Sequence, residues 1–344
     1  MACRRWDSSR IGPARYFPLL TDHRRPPAQG AWHQGSAWRW VRSINRTCRS
    51  RTVSLIDDLL RKTSRTFALS IPLLPDSLQH SVSVAYLLFR IADTIEDELP
   101  CSIEDRRRAL QTISNRFEED PRIMREVLGR LEFDPQAIQN DGYSELLDCT
   151  SILIEAYEML DTRERSPIEL HLVRTCRGMA HYLGRDLSDG SVEDLKEYCY
   201  IVAGIVGEML TDLFVAHNEH LAPMLDALRT DSTAFGEGLQ LINIIRDSAD
   251  DVHAGRCYLP RTLDRASLIG IARVNLSGAE SYILNLQNGE SDIGIVRFNA
   301  LNLALAQATI DAVEAGGPGA KLTRSQVEDI FTIISKSSAP LKTA

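Results

Sequence analysis

Residues 86–98 read YLLFRIADTIEDE, and residues 239–251 read LQLINIIRDSADD. Both are apolar runs that end in a knot of acids, with an arginine just ahead of it. On a helix, residues three and four apart share a face, so Asp93, Glu96 and Asp97 project together, as do Asp247, Asp250 and Asp251. Gln240 and Asn243 extend the second row upstream. Leu241, Ile242, Ile244 and Ile245 form its apolar reverse. Burying such a row unpaired costs several kcal/mol per charge, and crowded carboxylates take up protons. A hard divalent cation removes the difficulty: Mg²⁺ prefers oxygen ligands and commonly binds one or two carboxylates together with a substrate's phosphates. One DxxxD on a helix usually marks a solvated face. Two such rows, each beside an arginine (Arg90, Arg246), point to a shared metal–diphosphate site.

Outward from these rows the chain reads as helix. Residues 53–74 carry apolar residues at helical spacing, broken by Pro72 and Pro75, and 76–98 begin with an acid in the first turn. Ser102 with Asp105 resembles a capping box. Helices are further predicted near 145–161, 166–187, 191–217, 219–229 and 231–253, and then up to the segment TRSQVEDIFTIISKS. Strand alternation is nearly absent, so the fold class is an all-α bundle.

Residues 1–51 differ. They hold 11 Arg, no Lys, all four Trp and only two acids, Asp7 and Asp22. They read as a disordered extension, either a plain appendage, a targeting peptide or a contact for anionic membrane, ahead of one helical domain at 52–344. That domain carries 28 basic and 45 acidic residues (39 − 11 and 47 − 2). Its acidity argues against nucleic acid as a partner. Seven scattered cysteines without a CxxC suggest a reducing compartment, and they form neither a disulfide framework nor a zinc site. No run of 18 apolar residues is evident, so no transmembrane helix is expected. Together these readings place the protein in the cytoplasm, with peripheral contact at the inner membrane surface as an option. No phosphate-binding P-loop, GxSxG or GxGxxG occurs.

Four stretches in order, SRTFALS (64–70), YLLFRIADTIEDE (86–98), YCYIVAGIVGEML (198–210) and LQLINIIRDSADDVHAGRCYLP (239–260), resemble the squalene/phytoene synthase family of head-to-head prenyl condensing enzymes. The resemblance spans about residues 55–335. It implies an isoprenoid-synthase-type bundle around a central cavity, with Asp93, Asp97, Asp247 and Asp251 as Mg²⁺ ligands. Glu96, Asn243 and Gln240 stand beside them. Ser64, Arg65, Arg90 and Arg246 fall where the family binds diphosphate, although Ser64 also reads as a helix cap. Tyr86 would line the cavity, and Tyr200 would offer an aromatic face to cations; either might take a proton in the reaction. Arg256 and Tyr258 lie in a loop that either closes over the site or is plain surface. Small residues in VAGIVG (202–207) suit close approach by a prenyl chain or a neighbouring helix.

The implied substrates are two allylic prenyl diphosphates. DTIED is similar to the squalene-forming type, and AKLTRSQVEDI (320–330) is similar to the segment near its NADPH, with Lys321 and Arg324 on the cofactor's phosphates. The favoured expectation is therefore farnesyl diphosphate to squalene by way of presqualene diphosphate. YCYIVAG, Ile201, Asn299 and Ala300 depart from the eukaryotic pattern and keep dehydrosqualene or phytoene synthesis without NADPH as the alternative. The polar C-terminus, which offers no apolar anchor, suggests a bacterial type. A catalytically silent helical scaffold is the reading outside enzymology.

Overall fold

A computed structural model describes residues 52–337, apart from 135, 136 and 139. The expected 1–51 extension lies outside the described residues. Helix α1 spans 52–63. It is followed by α2 (Phe67–Ser70), α3 (Asp76–Asp97), α4 (Ile103–Arg116), α5 (Ile123–Leu128), α6 (Asp141–Asp148) and α7 (Thr150–Glu158). Then come α8 (Thr162–Tyr182), α9 (Val192–Cys199), α10 (Ile205–His217), α11 (Leu225–His253), α12 (Arg265–Asn288), α13 (Ile293–Gly316) and α14 (Arg324–Lys336). No strand occurs among the described residues, so the all-α expectation holds.

Helix starts follow the side-chain chemistry. Ser102 accepts from the Asp105 N–H, and full capping boxes close the N-termini of α8 (Asp161 with Glu164), α9 (Ser191 with Asp194) and α14 (Thr323 with Gln326). These caps satisfy backbone N–H groups that the helix itself leaves unbonded. Two boundaries differ from expectation. Pro223 confines the segment before α11 to a 3₁₀ turn, Glu219–Met224, and α11 then runs unbroken for 29 residues, because no proline separates Leu225 from His253. The stretch expected as one helix at 191–217 is continuous, but it contains a π turn at Tyr200–Gly204.

The long helices α3, α10, α11 and α13 enclose the cavity described below, and α11 lies against α10, α12 and α13. The approach of α10 to α11 is very close. A Cβ added at Gly207 would lie 2.2 Å from the Ser232 carbonyl oxygen, and one at Gly236 would lie 2.3 Å from the Ala203 carbonyl oxygen. The small residues of VAGIVG therefore serve helix packing, and Ala203 and Gly207 also line the cavity.

By length and composition, contrary to expectation, two stretches would suffice to cross a membrane: Val192–His217, with mean hydropathy 1.7, and Ile293–Gly316, with mean hydropathy 1.3. Both pack into the bundle and contribute cavity walls, which accounts for their apolar faces.

Because a backbone oxygen cannot yield as a side chain can, Gly236→Ala is expected to cost about 1–3 kcal/mol through overpacking. The shift in the urea midpoint relative to wild type checks this.

Candidate active site

A cavity of about 290 Å³ is walled by α3, the π turn, α10, α11 and α13. Tyr86, Arg90 and Asp93 line it from α3, and Gln240, Asn243 and Arg246 line it from α11. The remaining wall is mainly apolar, with Phe67, Val82, Phe89, Val202, Leu210 and Phe298 among its members. Asp76 and Pro75 start α3 so that its apolar face turns inward and Arg90 and Asp93 reach one end of the cavity.

Asp93, Asp97, Asp247 and Asp251 are each met by an arginine. Arg90 Nη1 lies 3.3 Å from Asp93 Oδ2. Arg246 grips its neighbour Asp247 with both arms of its fork, at 2.8 and 2.5 Å. Arg256 joins the two rows: its Nη2 donates to Asp251 Oδ1 at 3.3 Å, and its Nη1 lies 3.7 Å from Asp97 Oδ1. The rows from α3 and α11 therefore meet, as the sequence suggests. Glu96 is buried beneath them, and its backbone carbonyl accepts from Arg106. Asp250, on the same sequence row, is exposed.

Burial raises the Asp93 carboxyl to about 6 against the pull of Arg90, and Asp97 adds to the rise. Burial, with Asp97 and Asp93 beside it, pushes Glu96 well above the ordinary carboxylate range. Asp251 is also raised, by burial against the pull of Arg256, and the charges of Asp247 and Asp97 add to it. Among the described residues no three His, Cys, Asp or Glu side chains are preassembled around a point that could hold a metal ion. The donor set still fits a hard cation: it is all oxygen, and Mg²⁺ needs only one or two carboxylates when phosphates complete its shell.

Other expected residues fall less simply. Tyr86 lines the cavity, but its hydroxyl donates to the Thr63 carbonyl at 2.9 Å and accepts from Arg90 Nε at 3.3 Å, so it braces the arginine. Tyr143 adds its ring face to the same guanidinium, 5.6 Å away. Ser64 Oγ accepts from the Phe67 N–H, at the start of α2, at 2.9 Å, and Arg65 is exposed beside the cavity-lining Thr66.

Tyr200 does not line the cavity. Its hydroxyl is held by Arg174 and Glu208 on the other side of the helix. The physical reason is phase: Val202, Ala203, Val206 and Leu210 face inward, and Tyr200 lies off that stripe. Tyr198, passed over in the sequence, is the tyrosine near the acids. It stacks on Tyr258 with ring centroids 4.9 Å apart, and burial together with Glu96, Tyr258 and Asp97 raises its hydroxyl. Its i,i+4 spacing from Val202 was the available clue. The 254–264 loop is pinned in place, since Leu187 N–H donates to the Cys257 carbonyl at 2.8 Å and Arg261 N–H donates to the Ser188 carbonyl at 2.9 Å. Arg256 is thereby fixed as a bridge. Lys321 and Arg324 are exposed and outside the cavity lining, but Gly319 N–H donates to the Arg246 carbonyl at 2.7 Å, so their segment adjoins the second acidic row.

An all-α bundle with this cavity aligns with a solved structure of TcSQS bound to the ligand E5700, at TM-score 0.70 and 24% identity over 83% of this chain and 86% of that one. It also aligns with squalene synthase HpnC from Alicyclobacillus acidocaldarius, at TM-score 0.51 and 18% identity over 78% and 94%. These place the fold among the isoprenoid-synthase-type helical bundles. Residues 60–268 match the family described as Squalene/phytoene synthase, and the chain belongs to that family. Curated relatives include squalene synthase of Schizosaccharomyces pombe, 30% identical over 60% of this chain and 43% of that protein. Squalene synthase of Rattus norvegicus is 28% identical over 67% and 52%. The chain thus spans about half the length of the curated relatives it matches.

The raised Asp93 carboxyl has a signed consequence for stability. With its pKa at about 6 folded and 3.8 ordinarily, the folded state holds the proton more tightly, so the contribution is present below 3.8 and lost as pH rises through 6. In metal-free protein, thermal melts from pH 4 to 7 are expected to show wild type losing stability relative to Asp93→Asn as pH rises.

Proposed function

We propose that the protein condenses two farnesyl diphosphates head to head, by way of presqualene diphosphate, and reduces the product to squalene with NADPH. The observation that carries this is one cavity with a polar end, where Arg90 and Arg246 from facing helices flank Asp93 and Asn243, and a largely hydrocarbon remainder. Arginine's planar fork suits diphosphate oxygens. Tyr86 keeps Arg90 aimed, and Arg256 holds the two acidic rows within reach of each other. Asp93, Glu96, Asp97, Asn243, Asp247 and Asp251 would hold Mg²⁺, which when bound supplies charge stabilisation to the departing diphosphate. The apolar wall excludes water from the cation left on the tail.

For reduction, the segment bearing Lys321 adjoins the diphosphate end through Gly319, a position that suits contact with the cofactor's phosphates. Arg324 supports the alternative, dehydrosqualene or phytoene synthesis without NADPH. Its Nε donates to Glu328 Oε1 at 2.8 Å, and binding NADPH would have to take it from that partner. Peripheral membrane contact fits a substrate with a hydrocarbon tail. Residues 1–51 are proposed to be separate from the catalytic domain, so their removal should spare turnover in solution.

Incubation with C15 and C20 prenyl diphosphates, with and without NADPH, followed by mass analysis of the hydrocarbons, tests the reading. Squalene formed from C15 substrate only with NADPH supports it. Dehydrosqualene or phytoene regardless of NADPH selects the alternative, and with it Lys321→Ala should leave the product unchanged. Asp93→Ala and Asp247→Ala are each expected to lower turnover by about 100-fold or more, comparable to losing one transition-state donor, with far-UV circular dichroism unchanged. A silent scaffold would show no thermal stabilisation by Mg²⁺ plus a diphosphate analogue. A native-state ligand at 100 times its Kd adds about 2.7 kcal/mol.

A further inference from the structure

Helix α13 crosses the apolar part of the cavity with a row that includes Phe298, Asn299, Asn302, Leu305, Ala306 and Thr309. Two amides in that wall are unusual. Asn299 is 3% exposed and Asn302 is 5% exposed. Each donates its Nδ2–H to the carbonyl four residues back, Ile295 and Phe298 respectively, both at 2.9 Å. One N–H of each amide is thereby committed, which fixes the amide plane and leaves its oxygen and its second N–H. Three further polar side chains of the wall are bonded: Ser232 to the Arg229 carbonyl, Tyr282 to Thr211, and Thr309 to the Leu305 carbonyl. Asn302 Oδ1 has no partner, and among the described residues it is the only such buried side-chain atom belonging to a cavity-lining residue.

An orphaned acceptor in an apolar cavity is costly, and in a folded protein it calls for an explanation. A prenyl tail carries no hydrogen-bond donor, so the bound substrate cannot satisfy it. The proposed reaction provides one partner that can. When the C–O bond breaks, its electron pair leaves with diphosphate and the tail becomes a carbocation. The amide dipole, enclosed in the cavity wall, then lies beside positive charge that does not exist in the ground state, which is the condition for lowering a barrier without tightening substrate binding. A continuous wall connects this amide to the diphosphate end. Phe298 stacks on Phe67 at 6.4 Å, Phe67 meets Tyr86 at 5.4 Å, and Tyr86 braces Arg90.

Resting on the proposed prenyl condensation, we infer that Asn302, with Asn299 one turn away, presents a fixed carbonyl dipole that stabilises the carbocation in the cavity. The test compares two ligands by calorimetry in the presence of Mg²⁺ and inorganic diphosphate: a farnesyl-type tertiary amine, protonated at neutral pH, and its uncharged carbon isostere. Asn302→Leu keeps the size and removes the dipole. It is expected to weaken the ammonium ligand by about tenfold or more, with the isostere nearly unchanged, and to lower kcat rather than raise KM. Should Asn302→Leu fold poorly, Asn302→Ala is expected to give the same split, with isostere binding as the control for an intact cavity. Equal losses for both ligands, or no loss for either, overturn the inference. So does an alcohol made by wild type that takes its oxygen from labelled water and is lost in Asn302→Leu, which would make the amide a water anchor. Failure of wild type to bind either ligand would instead overturn the proposed condensation itself.

Discussion

The structure depends on neutralising a band of carboxylates carried on otherwise apolar helices. Asp93, Asp97, Asp247 and Asp251 lie toward the C-terminal ends of α3 and α11, two of the helices that wall the cavity, and burial favours the protonated forms of Asp93, Asp97 and Asp251. Arginine is the partner in every one of these cases. Arg90 and Arg246 each serve one acid, and Arg256 spans a pair across the interface between helices. That last contact ties the loop after α11 to the end of α3, and the backbone bonds to 187–188 and the Tyr198–Tyr258 stack fix the loop that carries it. Removing a cation from such a pair leaves a charge uncompensated in a poorly solvated place, which costs more than the pair itself contributes.

The helical frame was legible because its determinants are local. Apolar periodicity, Pro75, Ser102 and the acids in first turns each act within a few residues of themselves. The convergence of the two acidic rows was legible too, since stripes that repel each other make sense only around a shared counter-charge. The arginine pattern was harder to see. Arg256 lies five residues beyond Asp251, and its reach to Asp97, 159 positions away in the chain, depends on how α3 and α11 meet. Tyr200 sits inside the matching motif, but its phase on the helix differs from that of the cavity-lining Val202, Val206 and Leu210. Asn302 carried no local signal, because an asparagine on an apolar helix looks like any surface polar residue until the cavity is seen.

Packing explains why the frame can hold both an apolar well and a charged end. Gly207 and Gly236 let α10 and α11 approach closely enough that backbone forms part of the wall. The π turn at Tyr200–Gly204 leads into that contact, and the polar network behind it anchors the turn. There Arg174 donates to Glu208 at 2.6 Å and holds the Tyr200 hydroxyl, while His171 meets Asp212 at 2.9 Å. Inserted single turns of this kind occur frequently at functional sites. Here the turn aligns Val202, Ala203, Val206 and Gly207 along the cavity.

The arginine pairing also bears on the order of binding in the proposed reaction. Arg90 and Arg246, which would recognise diphosphate, pair with Asp93 and Asp247, which would hold metal. Diphosphate arriving alone must compete with Asp93 and Asp247 for Arg90 and Arg246, and a divalent cation arriving alone must displace the same arginines. Arriving together, each releases the partner that the other requires. Binding of one therefore strengthens binding of the other, and linkage makes the effect reciprocal. The same exchange keeps the local charge nearly balanced throughout, so the apolar cavity beside it is not left facing a bare anionic cluster. In the proposed reaction, a site built this way would favour the metal–diphosphate complex over either component.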